Sequence, residues 1–243
     1  SFGDAKKTRQ HARRVVKNSS LVIAVSGALA DEIEQELNLS RPKIRIIHNA
    51  IDPTYNERVG EKEVRAMRER FHLKGDYFLC VTTDKPHKNI QLVRDVAADW
   101  RGETDWVFTL TSAVADHPAR MHYPGVVEDT WLRPLYAAST AVIVPSLYEG
   151  FSLPPIEALA LGALPIVSNI APHREIIGDV LPPDLIFDPL QKSSLERALQ
   201  RIQEGGEPME RSILERFRSL RERYSYLETA DAIQSVYREA IRK

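Results

Sequence analysis

The chain has 243 residues, 43% of them apolar and 28% charged, with a formal net charge of −1 and one cysteine. That balance removes the global field that would recruit nucleic acid, and a single cysteine excludes an intramolecular disulfide framework. No apolar run approaches the roughly 18 residues that a spanning helix needs and no signal peptide is read, so the cytoplasm is the expected compartment.

The opening stretch, DAKKTRQHARRVVKNSS, is a basic helical pattern carrying Lys6, Lys7, Arg9, Arg13, Arg14 and Lys17. A solvated helix face is the leading interpretation. A patch for anionic lipid, and with it a place at the membrane periphery, is the second, without aromatic anchors in support. LVIAVS (21–26) is continuously apolar, the mark of a strand buried on both faces. Ser26 suits the N-cap of a helix over GALADEIEQEL, with acids in its early turns. After a break at Arg41 and Pro42, KIRIIH forms a second strand, ended by NAID and Pro53. Residues 61–72 have helical spacing, 76–83 form a strand and 89–100 a helix. The strand signal repeats over 105–111, 141–145, 164–168 and 185–187, with helices expected over 130–138, 154–162 and 193–204. Strands apolar on both faces and alternating with helices imply an α/β, doubly wound, Rossmann-like parallel sheet. Cys80, inside YFLCV, is expected in the core. The final LETADAIQSVYREAIRK is an amphipathic helix whose stripe of Leu227, Ala230, Ile233, Val236, Tyr237 and Ala240 must bury against something.

In such sheets ligands bind beyond the carboxyl ends of the strands, which directs attention to the loops after Thr83, Thr111 and Pro145. DKPHKN follows Thr83, and Lys85 and Lys88 give it positive charge just before a helix, where an anion or a plain solvated loop are even alternatives. EGFSLPPIE, Glu149 to Glu157, follows Pro145. Proline suits the first position of a helix, so Pro154 or Pro155 starts one, Gly162 ends it, and Glu157 lies in its first turn. Gly150 lets backbone approach a ligand closely, and the N–H groups from Gly150 to Leu153 together with Lys88 fit a diphosphate. Two acids beside a phosphate need another task, and the hydroxyl pairs of a ribose and of a sugar are matching donors for them. Helix capping alone accounts for Glu157 but not for Glu149. His117 and His122 stand in a loop with no third ligand, so no metal site is read. His48 and His173 lie near strand ends and receive no catalytic role.

These motifs resemble the retaining glycosyltransferases of the GT-B fold, in the group called family 4. PSLYEGFSLPPIEALALGALPIVSNI (145–170) is similar to the family's most specific signature, PHKN (86–89) to its phosphate-contacting lysine motif, and IRIIHNAID (44–52) to the strand and turn that open its C-terminal lobe. YPGVVEDTWLRPLYAASTAVIVPS (123–146) resembles the segment that contacts the nucleobase, and VIAVSGALADEI (22–33) the last strand and helix of the N-terminal lobe. The resemblance implies a division into the end of an N-terminal lobe (1–40), a nucleotide-sugar-binding Rossmann-like domain (41–222) and a helix packing back toward the first lobe (223–243). It implies that Glu157 holds the ribose, Lys88 the diphosphate, the backbone of Phe151, Ser152 and Leu153 the sugar and phosphate, and Glu149 the donor sugar near the reacting carbon. Val126 and Val127 would line the base pocket. Transfer would retain configuration without a metal or other cofactor, with Glu149 and Lys88 as the catalytic pair.

The sequence departs from the family pattern in places. Thr82 and Thr83 stand where a glycine and a cation are common at the donor-binding strand end, Ala50 replaces a glycine in NAID, and Ser112 and Ala113 replace a glycine-rich turn. Most of the N-terminal lobe is expected outside this chain, as part of the same protein or of a partner chain. The expected function is therefore the donor-binding half of a hexosyltransferase in polysaccharide assembly, binding nucleotide but turning over poorly alone. The loops are similar to those of mannosyltransferases, which implies GDP-mannose, with UDP-hexoses as the other donor class and a glycan or lipid-linked acceptor. The alternatives are a scaffold subunit that partners another glycosyltransferase, and a GT-B sugar epimerase or phosphorylase.

Overall fold

A computed structural model describes residues 2–115 and 117–242, with side chains described from residue 10 onward. The side chains of Lys6, Lys7 and Arg9 thus lie outside the described residues. In chain order the elements are α1 (Phe2–Asn18), β1 (Val22–Ala24), α2 (Gly27–Leu37), β2 (Ile44–Ile46), α3 (Glu61–Phe71), β3 (Tyr77–Val81), α4 (Ile90–Asp99), β4 (Asp105–Thr109) and β5 (Met121–Gly125). They continue through α5 (Asp129–Ala137), β6 (Ala141–Val144), α6 (Pro154–Ala160), β7 (Pro165–Ser168), α7 (Ala171–Ile177), β8 (Ile186–Phe187), α8 (Lys192–Leu220) and α9 (Tyr226–Ile241).

The continuously apolar runs form strands because helices cover both of their faces. Every residue of β6 and β7 is buried, as are the first four of β3 and the last four of β4. These strands build a parallel sheet of six in the order β5-β4-β3-β6-β7-β8, with Leu79 opposite both Val107 and Val142. From β3 the chain winds outward through β4 to β5, then returns to β6 on the other side and winds outward again. The strand order reverses between β3 and β6, so the loops leaving these two neighbours diverge and open a crevice at their carboxyl ends. The doubly wound α/β architecture expected from the sequence is the one observed. Cys80 is buried in its core, where desolvation pushes the thiol pKa up.

Several details differ from the expectations. β5 was not among the expected strands: its sequence, MHYPG, is neither apolar nor β-rich, and proline is tolerated there because β5 is an edge strand. His122 therefore lies in a strand rather than a loop, 3.6 Å from Asp105 of β4. α7 is a short helix with Pro172 in its first turn. α8 runs on to Leu220, kinked where Gly206 takes φ 55° ahead of Pro208. β2 pairs in parallel with β1, Val22 opposite Ile44, and with no strand of the large sheet. The stripe on α9 buries only partly: Val236 is covered, while Leu227, Ala230 and Tyr237 are exposed. α9 is held to β2 instead by a bidentate ion pair, Arg45 Nε and Nη2 donating to Glu239 at 2.9 and 2.5 Å. On α1, Arg13, Arg14 and Lys17 are exposed, as a solvated face requires. Among the described residues no helix is long and apolar enough to cross a membrane.

Ile143 is wholly buried at the centre of β6, beside the reversal in strand order. Ile143→Ala removes that packing, and urea denaturation is expected to show a loss of about 2–5 kcal/mol.

Candidate functional site

The crevice is assembled from the two diverging loops. After β3 the chain passes Thr82 and Thr83, then a 3-10 turn, Pro86–Lys88, and Asn89 takes a left-handed φ of 53° that admits α4. Leu147, just after β6, donates its N–H to the His87 carbonyl at 2.7 Å and stitches the two loops together. The same stitching brings Lys88 to Glu149: Nζ lies 2.7 Å from Oε1, and Ser146 Oγ donates to that oxygen at 2.7 Å. The side chains of the pair are 25% and 13% exposed, so the attraction is screened less than at an open surface. Two residues expected to serve separate parts of a ligand are thus each other's partner. The lysine neutralises an acid that would otherwise repel an anion.

Gly150, Phe151, Ser152 and Leu153 form a tight turn leading into α6. Phe151 is buried against His48 and Tyr224, and the Gly150 carbonyl accepts from Ser26 Oγ at 2.6 Å. A Cβ on Gly150 would meet Leu29 and Val25 at 3.6 and 3.7 Å, ordinary contact, so protein packing alone does not demand glycine there. The residue with a positive φ is Ser152, at 109°. Pro154 and Pro155 open α6 as expected. That helix is only 7 residues long and prolines carry no N–H, so the donors at this end are the turn amides rather than a helix dipole.

Glu157 sits one turn into α6. Its Oε2 accepts from the phenol of fully buried Tyr136 at 2.9 Å, and Tyr136 stacks edge-on to Tyr55, which lies 3.3 Å from Asp129. Burial raises the Glu157 pKa above the usual carboxylate range; the Tyr136 hydrogen bond lowers it and the charge of Asp129 raises it further. Val126 is 86% exposed, while Val127 packs partly against the core. The hydroxyls of Thr82 and Thr83 are buried with no protein partner. Near them, Arg94 of α4 donates to Asp84 at 2.8 Å and to the Ser112 carbonyl at 2.9 Å, and Asp84 accepts from Ser112 N–H at 2.8 Å. This knot locks the loops after β3 and β4, but its cation is already matched by Asp84 and does not replace the one missing at the strand end. Lys85 is exposed.

Glu175 and Tyr148 carry contacts that the sequence did not announce. Glu175 of α7 accepts from the N–H groups of Gly27 and Ala28 at 2.6 and 2.9 Å and lies 3.2 Å from His48 Nε2. Burial pushes its pKa up, yet these amides and His48 outweigh burial and hold it below the ordinary value. Ser26 caps α2 as expected, accepting from Leu29 N–H at 3.0 Å, but Asp31 and Glu32 fall beyond the first turn, and the acid serving that turn is Glu175. Tyr148 donates to Glu32 at 2.9 Å, and a cavity of about 290 Å³ lies between Leu29, Glu32, Tyr148, Glu149, Ile170 and Pro172. His173, expected to be structural, is buried beneath the turn and bonded to Ser152 and Ser168. The proline and histidine of PHREI beside a strand end marked its position, though not its partners.

The site thus consists of a parallel sheet with a reversal crevice, a lysine–glutamate pair spanning it and a second, half-buried glutamate in the first turns of α6. The family described as "Glycosyl transferases group 1" matches residues 64–216, more than half of the chain, and the chain belongs to that family. The family "Glycosyltransferase Family 4" matches residues 3–55. The O-antigen chain mannosyltransferase RfbU of Salmonella typhimurium is 28% identical over 200 residues, covering 78% of this chain and 52% of its own length. The chain thus spans about half the length of this relative. Among solved structures, a glycosyltransferase from Rickettsia africae superposes with a TM-score of 0.80 at 15% identity, covering 98% of this chain and 68% of that one. Anabaena Alr3699/HepE, solved in complex with UDP-glucose, gives 0.81 at 13% identity, covering 95% and 67%. At those identities the likeness is one of fold.

Because the folded site raises the Glu157 pKa, an ionised Glu157 costs stability at neutral pH, and the cost disappears as pH falls through the raised value and the group protonates. Glu157→Gln, which keeps an acceptor for Tyr136, is expected to raise the melting temperature at neutral pH. The gain should shrink to nothing below the ordinary carboxylate range, as measured by thermal unfolding across pH.

Proposed function

We propose that this chain is the donor-binding part of a retaining glycosyltransferase. It transfers a hexose, with mannose the leading candidate, from a nucleoside-diphosphate sugar to a glycan or lipid-linked acceptor in polysaccharide assembly. The observation that carries the reading is the Lys88–Glu149 pair at the point where the strand order reverses. A half-buried lysine held beside the turn amides of 150–153 is suited to the two phosphates, and it meets the charge that develops on the leaving diphosphate without calling on a metal. Glu149, fixed by Ser146 as well as Lys88, is suited to the donor sugar on the other side of the breaking bond.

The buried acid has the complementary task. Tyr136 takes one lone pair of Glu157 and leaves further acceptor capacity for a ribose hydroxyl pair, whose hydrogen bonds would relieve the burial that raises its pKa. Val126, apolar and 86% exposed, is suited to lie against a nucleobase, with Val127 beside it. That a relative is an O-antigen mannosyltransferase supports mannose, and that a structural neighbour was solved with UDP-glucose supports a UDP-hexose as the other donor class. Two structural features support a rival reading as a non-catalytic scaffold: the unpartnered Thr82 and Thr83, and an Arg94 spent on Asp84. A scaffold need not bind nucleotide.

A thermal-shift screen against GDP-, UDP- and dTDP-sugars separates the two, since a ligand of the native state raises its melting temperature. One nucleotide class is expected to stabilise the chain, and a flat response to all three would favour the scaffold. Glu157→Ala should weaken nucleotide binding by about 1.5–3 kcal/mol, the size of a hydrogen bond to a charged group, whereas Glu149→Ala should chiefly lower the rate of sugar transfer. Reversed effects would exchange the two roles.

A further inference from the structure

A serine with φ 109° is out of place, because this region of backbone space belongs to glycine and costs other residues about 1–3 kcal/mol. Such a conformation persists only where its surroundings fix it. Gly150, two residues earlier, does not take a positive φ. The strain of the turn therefore falls on Ser152, and something must hold it.

We infer that His173 is a positioning residue for the donor turn, gripping the Ser152 hydroxyl from beneath so that the peptide units of 151–153 keep the orientation in which they face the diphosphate. This rests on the donor-site reading above. The geometry is a continuous chain of hydrogen bonds. Ser152 Oγ lies 3.1 Å from His173 Nε2, and His173 Nδ1 lies 2.9 Å from the Ser168 carbonyl and 3.1 Å from Ser168 Oγ. Ser168 Oγ donates to the Ser146 carbonyl at 2.5 Å, and Ser146 Oγ donates to Glu149. A carbonyl only accepts, so Nδ1 carries the proton and a neutral Nε2 accepts from the Ser152 hydroxyl. The neutral form is the stable one: burial pushes the His173 pKa down to about 4, more strongly than the Ser168 carbonyl and the charge of Glu149 raise it, and Lys88 lowers it further. His173 is completely buried. Its direct contact with the donor turn is through Ser152, while Ser168, which the imidazole also bonds, ties the end of β7 to the Ser146 carbonyl just past β6.

Glycine supplies a test that a merely structural histidine would fail, because Ser152→Gly removes the strain that the imidazole offsets. The probe is GDP or UDP, whichever the wild-type chain binds, titrated by calorimetry. His173→Leu is expected to weaken binding about tenfold, or 1.4 kcal/mol, and adding Ser152→Gly to it should restore most of that affinity. His173→Gln, whose side-chain carbonyl can accept from Ser152, should stay close to wild type. Unchanged affinity in His173→Leu, or a double variant as weak as the single one, would overturn the inference. If His173→Leu is too unstable to titrate, the same reversal is read in the melting temperature, and failure of Ser152→Gly to raise it overturns the inference equally. If the wild type binds neither nucleotide, it is the donor reading that falls, and the melting comparison alone decides whether His173 holds Ser152.

Discussion

Between β3 and β6 the winding of the sheet reverses, and the ion pair between Lys88 and Glu149 spans the resulting crevice. Each partner stands on a loop that leaves one of those strands, so the 2.7 Å contact fixes the separation of the loops as well as the local charge. The bond from Leu147 N–H to the His87 carbonyl sets the register that makes the pair possible, and Ser146 holds the acid from the strand side. Without the lysine, the crevice would present Glu149 and Glu157 to any phosphate. With it, the floor is balanced, and a lysine with three donors can turn to an incoming anion while Glu149 keeps the hydrogen bond from Ser146.

The segment before the large sheet is also part of this site. Two contacts seat the start of α2 against the turn: Ser26 Oγ on the Gly150 carbonyl, and the Glu175 carboxylate on the amides of Gly27 and Ala28. Both reach across more than a hundred residues of sequence and both involve backbone groups, so they define position and not merely proximity. The consequence is a crevice with a second wall, where Leu29 and Glu32 face Tyr148 and Glu149 across a small cavity.

What could be read from the sequence was whatever is decided locally. Continuous apolar runs announced the parallel strands, Pro154 and Pro155 announced the start of α6, and the spacing of Glu149 and Glu157 announced a paired-acid signature. The edge strand β5 was hidden because its residues follow exposure and not strand propensity. Ser152 was visible as part of the motif, but not its left-handed backbone, since nothing in the residue type signals it. The roles of Tyr136, His173 and Glu175 could not be found because each acts on a partner that only the fold brings near, Glu175 on an amide 148 positions earlier. The pairing of Lys88 with Glu149 was missed for a related reason: both were assigned to a ligand, and the protein satisfies them with one another first.

The account stands on Lys88 as the group that meets a diphosphate. The direct measurement is the difference in affinity between a nucleoside diphosphate and the corresponding monophosphate, taken by calorimetry for the wild-type chain and for Lys88→Ala. The wild type should prefer the diphosphate, by about 1.5–3 kcal/mol if a charge-assisted hydrogen bond supplies the preference, and the preference should collapse in the variant. A preference that survives the loss of Lys88 undiminished would contradict the account.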